Sequence, residues 1–179
     1  MKRTTFFFLM TLFVLSCSTK TEKKEEQEDA KKPEESKLLE GFKVSGDSIA
    51  IPSFRITIEL SAKAEKKLAK DKETIIVQAY LSGTPKDSAP SLLVDEMGQM
   101  NLGSPSVELK KPGTAVFKSV KISKKSYDLL ANNDFHVLIN VFSGRKSTEL
   151  NLLECEILEA PITSVNAKKH VLKGKLIGE

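Results

Sequence analysis

Two histidines, His136 and His170, are the side chains of this sequence best suited to acid–base chemistry near neutral pH. A hydrolytic triad also needs an activated nucleophile, and no Gly-x-Ser-x-Gly motif accompanies either histidine. His136 lies between Phe135 and Val137, and His170 follows two lysines, each in a stretch that alternates apolar and polar residues. We therefore interpret both histidines as strand residues and expect no catalytic residue.

The chain lacks the spacings that mark metal and phosphate sites. It has no His-x-His or Cys-x-x-Cys pair, no calcium loop and no glycine loop that would cradle a phosphate. Asp95 and Glu96 form an isolated acidic pair, which we interpret as solvated. We expect neither a metal nor a cofactor. A carboxylate pair for glycoside hydrolysis stays open, because such pairs have no fixed spacing in sequence.

The charge of the chain does not point to nucleic acid. The sequence has 28 Lys and Arg against 24 Asp and Glu, of which 20 and 17 lie from residue 38 onward. A surface that binds nucleic acid shows a stronger basic excess, clustered and interleaved with aromatic side chains. We therefore expect no nucleic-acid partner.

The two cysteines have different surroundings. Cys155 lies in the apolar stretch 152–158, and we interpret it as a buried thiol that packs as a small hydrophobic residue. Cys17 directly follows an apolar segment near the start of the sequence. Because Cys17 belongs to this separate segment and the sequence has only two cysteines, Cys155 has no partner in the rest of the chain and we expect no disulfide.

Residues 1–16 have the parts of an export signal. Lys2 and Arg3 make a basic start, and the apolar stretch 4–15 follows it. This stretch is too short to cross the roughly 30 Å hydrocarbon core of a bilayer as a helix. We therefore predict a signal peptide that is removed from the mature protein.

The end of this segment, Val14-Leu15-Ser16-Cys17, resembles the lipobox that signal peptidase II cleaves in bacterial lipoproteins. The resemblance implies cleavage between Ser16 and Cys17 and attachment of lipid to the Cys17 thiol. Several acyl chains on one residue would hold the protein durably on a membrane. The membrane is therefore the first expected partner, and the bacterial cell envelope is the expected location.

Residues 17–37 join this anchor to the rest of the chain. Apart from Cys17 they are almost wholly polar, with no aromatic or branched apolar residue, so we predict a disordered, charged linker. Ser18 resembles the residue found after the cysteine in lipoproteins sorted to the outer membrane. Which face of that membrane the protein occupies stays open.

Residues 38–179 have the composition of a single folded domain. The segment 54–60 alternates apolar and polar residues with period two, as half-buried strands do. Similar segments are 73–81, 116–122, 135–142, 150–158 and 170–177, with weaker candidates at 42–51 and 106–109. About eight short strands separated by turn residues predict a mainly β, antiparallel Greek-key β-sandwich, which resembles immunoglobulin-like or transthyretin-like domains.

Two short helices are expected to cross between the sheets of this sandwich. Ser61 and Ser123 each precede a helix-forming stretch and are suitable N-caps. When these two serines are aligned, Leu68 matches Leu130, and apolar residues of the following strands also match without a gap. This strand–helix–strand repeat is either a true duplication or a common consequence of sheet-to-sheet crossings.

The segment from Thr84 to Ser104 has few charges and several large apolar residues. Its apolar side chains make it a possible partner-binding loop. The alternative is an additional strand pair with its turn at Gly98-Gln99. The residues predicted for the loop are Leu92, Leu93, Met97, Met100 and Leu102.

Together these features favour a membrane-anchored, non-catalytic envelope lipoprotein that acts by binding or by scaffolding. Two alternatives stay open, a small envelope hydrolase that uses carboxylates and a protein inhibitor or immunity-type lipoprotein. The sequence does not identify the ligand or the oligomeric state.

The lipobox interpretation predicts that Cys17→Ser abolishes lipid attachment, because a serine hydroxyl does not form the thioether. Metabolic labelling with a fatty-acid probe should label the wild-type chain and leave the variant unlabelled. Cys155→Ser is the matched control and should label normally. Equal labelling of the Cys17→Ser variant would contradict the anchor.

Overall fold

The period-two pattern of the sequence corresponds to strands throughout the described part of the chain. The computed structural model describes residues 38–179, which contain twelve strands, three α-helices and one 3₁₀ turn. The strands are β1 (Lys43–Ser45), β2 (Ser48–Ala50), β3 (Phe54–Leu60), β4 (Ile75–Gly83), β5 (Met100–Gly103), β6 (Ser106–Leu109), β7 (Gly113–Phe117), β8 (Lys121–Ser123), β9 (His136–Ser143), β10 (Leu153–Cys155), β11 (Leu158–Pro161) and β12 (His170–Leu176). The helices are α1 (Ala62–Asp71), α2 (Lys124–Asp128) and α3 (Ile162–Ala167), and the 3₁₀ turn spans Ser91–Leu93. The prediction of a mainly β domain is confirmed.

The strands form three sheets. The smallest has the order β1-β2-β8, and a four-stranded sheet has the order β10-β12-β3-β7. The largest has the order β11-β9-β4-β5, with β6 also paired to β4. All of these pairs are antiparallel except β12–β3, which is parallel and sets His170 opposite Ile56. The expectation of about eight strands, all antiparallel, is therefore wrong in strand number and in the direction of one strand.

Two of the predicted strands are each divided between two sheets. The predicted strand 116–122 ends as β7 in the four-stranded sheet and resumes as β8 in the smallest sheet. Ser119 lies between them with a φ of 55°, which turns the backbone. The predicted strand 150–158 is divided in the same way between β10 and β11. The apolar alternation continues through both crossings because the chain borders the core on each side.

The two predicted helix caps are confirmed. The Ser61 side chain accepts a hydrogen bond from the Ala64 N–H at 3.1 Å, and Ser123 accepts one from Ser126 at 3.3 Å. The third helix, α3, was not predicted. Its sequence, Ile-Thr-Ser-Val-Asn-Ala, is rich in residues with low helix propensity, so tertiary contacts determine its conformation.

The inward faces of the two larger sheets contribute to one hydrophobic core. On β4 the core residues are Ile75, Val77, Ala79 and Leu81, all at most 1% exposed. The strand β9 supplies Val137, Ile139 and Val141 to the same core. The internal repeat aligns Ile75, Val77 and Ala79 with these three residues of β9, and it also aligns Tyr80 with Phe142, which do not belong to the core.

The two aligned leucines occupy different local structures. Leu68 lies on α1, whereas Leu130 follows α2 and forms an isolated β-bridge with Pro85. Both are buried. Gly83 lies against Leu130, and a Cβ at Gly83 would lie 2.6 Å from a Leu130 methyl carbon, so a larger residue there would require the Leu130 side chain to shift.

Residues 1–37 lie outside the described residues, and with them lie the predicted signal peptide, its cleavage site at Ser16 and Cys17, and the linker. Within residues 38–179, no helix has the length and hydrophobicity needed to cross a bilayer.

Burial of the two leucines predicts that Leu68→Ala and Leu130→Ala each lower the free energy of unfolding by about 2–5 kcal/mol. Lys66→Ala is the control, because Lys66 is an exposed residue of α1 and its loss should change stability by less than about 0.5 kcal/mol. Urea denaturation of the three variants provides the measurement. Leucine variants that unfold at the wild-type midpoint would contradict the packing described.

Candidate functional site

The outer face of the largest sheet carries a row of polar and aromatic side chains. Alternation along β4 directs Tyr80 and Ser82 outward, on the side opposite to the neighbouring core residues. The antiparallel register sets Leu138 of β9 beside Tyr80, and His136 beside Ser82. Tyr80 is 43% exposed, so part of its ring is open to solvent.

The neighbouring strands extend the two cross-strand pairs, Tyr80 with Leu138 and Ser82 with His136. Glu159 of β11 pairs with Leu138, and Asn101 of β5 pairs with Ser82. His136 Nδ1 lies 3.8 Å from Glu159 Oε1, which makes an ion pair when the imidazole is protonated. Both side chains are more than half exposed, so this pair adds little to stability.

A tight turn at residues 95–99 forms one wall beside these rows. Asp95 Oδ1 accepts hydrogen bonds from the backbone N–H groups of Met97 at 2.9 Å and Gln99 at 2.8 Å. Gly98 has a φ of +74°, which side-chain-bearing residues rarely adopt. The turn leaves Met97 86% exposed. Asp95 is therefore the residue that organises the turn, and it also borders the space enclosed by it.

Asp134, just before β9, forms another part of the wall. Its Oδ2 accepts a hydrogen bond from the Thr163 hydroxyl at 3.0 Å. Its Oδ1 is buried, and no described residue donates a hydrogen bond to it. A buried carboxylate oxygen without a donor is costly.

These elements enclose an open groove of ≈ 660 Å³, within the usual size of ligand sites. We call it the acidic groove. Its polar lining residues are Ser82, Thr84, Asp95, Gln99, Asn101, Asn132, Asp134, His136 and Glu159. Three of them are carboxylates, and no described lysine or arginine lines the groove. The arrangement is suited to a ligand with positive charge or with several hydrogen-bond donors.

The predicted partner-binding loop is divided by the structure. Met100 and Leu102 are 1% and 7% exposed and belong to the core, so their assignment to a binding surface is wrong. The alternative strand pair with its turn at Gly98-Gln99 is present only as an isolated β-bridge between Val94 and Met100. Leu92 is 93% exposed and Leu93 41% exposed, but neither lines the acidic groove. Met97 is the predicted loop residue that does line it.

Tyr80, Asp134 and Glu159 were missed as site residues. Tyr80 lies on the side of its strand opposite to the alternating apolar residues, and an aromatic residue at such a position was the available signal. Asp134 and Glu159 carry no local signal, because only strand pairing brings them beside Tyr80. Asp95 is exposed, as its interpretation as a solvated residue expects, and it also holds the turn through two backbone hydrogen bonds.

The remaining residues singled out from the sequence lie elsewhere. Cys155 is half-buried against Gly174, and burial together with Glu154 and Glu156 raises the pKa of its thiol to about 11. A thiol with that pKa is a poor nucleophile at neutral pH. His170 begins β12 on the other large sheet, away from the acidic groove. Among residues 38–179, no group of three or more His, Cys, Asp or Glu side chains is placed to hold a metal ion.

Comparison with known proteins gives no relative: no protein-family profile, no curated protein and no solved structure matches this chain.

Glu73 is a carboxylate outside the acidic groove, and it has the environment of a structural residue. It is 3% exposed and lies just before β4. Its two oxygens accept hydrogen bonds of 2.8–3.0 Å from the N–H groups of Thr74, Lys146 and Ser147 and from the Ser147 hydroxyl. Burial raises the pKa of Glu73, but these hydrogen bonds outweigh burial and lower the pKa from 4.5 to about 2. Glu73 thus holds the loop after β9 against the start of β4.

The lowered pKa of Glu73 predicts a pH-dependent loss of stability. The stabilisation is complete above the unfolded pKa near 4.5 and is lost as the pH falls toward 2, because the unfolded chain binds the proton more readily. At pH 7, Glu73→Gln should lower the free energy of unfolding by about 2–4 kcal/mol, since buried hydrogen bonds to a charged group are lost. The difference from wild type should shrink as the pH approaches 2.

Denaturant unfolding at several pH values provides the measurement. The control is Glu65→Gln, an exposed carboxylate on α1, which should change stability by less than about 0.5 kcal/mol. A Glu73→Gln variant as stable as the wild type at pH 7 would show that the carboxylate does not hold this loop.

Proposed function

We propose that this chain is a membrane-anchored, non-catalytic envelope lipoprotein whose domain binds a positively charged segment of a protein partner in the acidic groove. The anchor is supported by the resemblance of Val14-Leu15-Ser16-Cys17 to a lipobox, and outer-membrane sorting by Ser18. Binding is supported by the groove itself. The proposed role is to hold that partner at the envelope, as a binding or scaffolding module.

The observation that carries the proposal is the charge of the groove. Asp95, Asp134 and Glu159 line it without any described lysine or arginine. The domain as a whole has more basic than acidic residues, with 20 Lys and Arg against 17 Asp and Glu from residue 38 onward. The groove thus has an acidic lining on a domain with a net basic charge, and a concave lining of one sign attracts ligands of the opposite sign.

The shape and chemistry of the lining favour a basic side chain over a simple ion. The exposed ring of Tyr80 offers a face to an ammonium or guanidinium group, an interaction worth about 0.5–2 kcal/mol. Asp134 Oδ1 is an acceptor without a described donor. Met97 is exposed at the side of the groove and offers an adaptable apolar contact for the stem of a lysine or arginine.

We further propose that the two larger sheets form a Greek-key sandwich, as the sequence pattern favours. The shared core of the two sheets supports this arrangement. In such a sandwich the outer face of each sheet is available for a ligand, while the core between the sheets provides the rigid support that positions it.

Each of the two alternative functions has a feature of the structure in its favour. Carboxylates on separate elements of one groove, with His136 among them, are the feature that favours a hydrolase. The exposed Leu92 and Met97 are the feature that favours an inhibitor with a single protein target. The proposal differs from both because it requires a basic ligand whose affinity depends on salt.

The test is a backbone NMR titration of the full-length chain in detergent micelles with three pentapeptides, containing two Lys, two Glu or two Ser among glycines. We expect the Lys peptide to shift the amide signals of Tyr80, Asn101 and Asp134, with an affinity that falls as salt is added. Asp134→Asn should weaken this binding at least about tenfold, or 1.4 kcal/mol. Tyr80→Ala should weaken it also, whereas Tyr80→Phe keeps the ring and should not.

Glu65→Gln removes one negative charge outside the groove and is the matched control, with wild-type affinity expected. Equal affinity for the Lys and Ser peptides would contradict a cationic ligand. Hydrolysis of a chromogenic glycoside by the wild type that is lost in Asp134→Asn would favour the hydrolase instead.

A further inference from the structure

A second groove lies on the outer face of the four-stranded sheet and has the opposite charge. Its volume is ≈ 700 Å³, and it runs along β3 and β7 to the end of α3. Arg55, Lys168 and Lys169 line it together with His170, and no described Asp or Glu does so. We call it the basic groove. Its position on a different sheet makes it independent of the acidic groove.

Strand alternation explains why Arg55 shares one face with two threonines. Phe54, Ile56 and Ile58 of β3 point into the core, so Arg55 and Thr57 point outward. Thr114 of β7 pairs with Thr57, and their hydroxyl oxygens lie 3.0 Å apart. One hydroxyl donates to the other, which leaves one O–H free to donate to a ligand.

Asn166, near the end of α3, and His170, at the start of β12, are partly buried polar residues that also line the groove. His170 pairs with Ile56 of β3, so its side chain lies toward the core and not on the outward face that Arg55 shares with the threonines.

We infer that the basic groove binds a phosphate group, carried either by an envelope lipid headgroup or by a soluble phosphoester. The Arg55 guanidinium offers a planar pair of donors that matches two phosphate oxygens. Lys168 and Lys169 supply further positive charge, and the threonine pair supplies a neutral donor. This inference does not depend on the ligand proposed for the acidic groove.

The test uses the full-length chain in phosphatidylcholine nanodiscs, titrated with inorganic phosphate against sodium chloride of equal ionic strength. Phosphate should shift the amide signals of Arg55, Thr57, Lys169 and His170, and chloride should not. The double variant with Arg55→Gln and Lys169→Gln should raise the half-saturating phosphate concentration at least fivefold. The control with Lys66→Gln and Lys110→Gln removes two exposed charges outside the groove and should titrate as wild type.

Two further arms distinguish the sources of the phosphate. If the source is a lipid, nanodiscs that contain phosphatidylglycerol should shift the same signals without added phosphate. If it is soluble, glycerol 3-phosphate should compete with inorganic phosphate, and phosphatidylglycerol should have no effect. Identical shifts with phosphate and chloride, or an unchanged half-saturating concentration in the groove variant, would overturn the inference.

Discussion

The pairing of β4 with β9 is the interaction on which the rest of the domain depends. Its register runs from Ile75 opposite Ser143 to Ser82 opposite His136, the longest pairing in the described residues. On one face the pair supplies the centre of the core, and on the other it supplies Tyr80 and His136 to the acidic groove. A slip of one residue would exchange the two faces, burying the polar set and exposing the apolar set. Core packing and the chemistry of the groove are therefore set by the same hydrogen-bond register.

The end of this strand pair is held by groups that flank it in the sequence. Gly144, after β9, donates its N–H to the Thr74 carbonyl at 2.8 Å, and a Cβ there would lie 1.9 Å from the Thr74 hydroxyl oxygen. Glu73 accepts the N–H groups of Lys146 and Ser147 beside the same contact. Gly144 thus permits the two strands to approach closely at this end, and the buried carboxylate of Glu73 holds them together there. The groove lies at the other end, around Ser82 and His136.

Local signals in the sequence were sufficient to predict individual strands and helices. They did not show which strands pair with one another. The alternation of residues 54–60 gave the bounds of β3, and Ser61 and Ser123 marked the helix starts. Alternation carries no information on strand direction or on which sheet a strand joins, so the parallel β12–β3 pair and the division of 116–122 were not predictable. The acidic groove depends on pairs distant in the chain, such as Glu159 with Leu138 and Ser82 with Asn101. Its residues were visible in the sequence, but their proximity was not.

The parallel pairing of β3 with β12 affects the order in which the domain can fold. The strand β3 lies between β12 and β7, and its partner residues in β12 are more than 100 positions later in the chain. The four-stranded sheet therefore stays incomplete until nearly the whole domain has been synthesised, and contacts of such long separation form slowly. Any segment of the domain that ends before residue 170 therefore leaves one edge of β3 unpaired, and the core is complete only after residues 170–176 have joined the sheet.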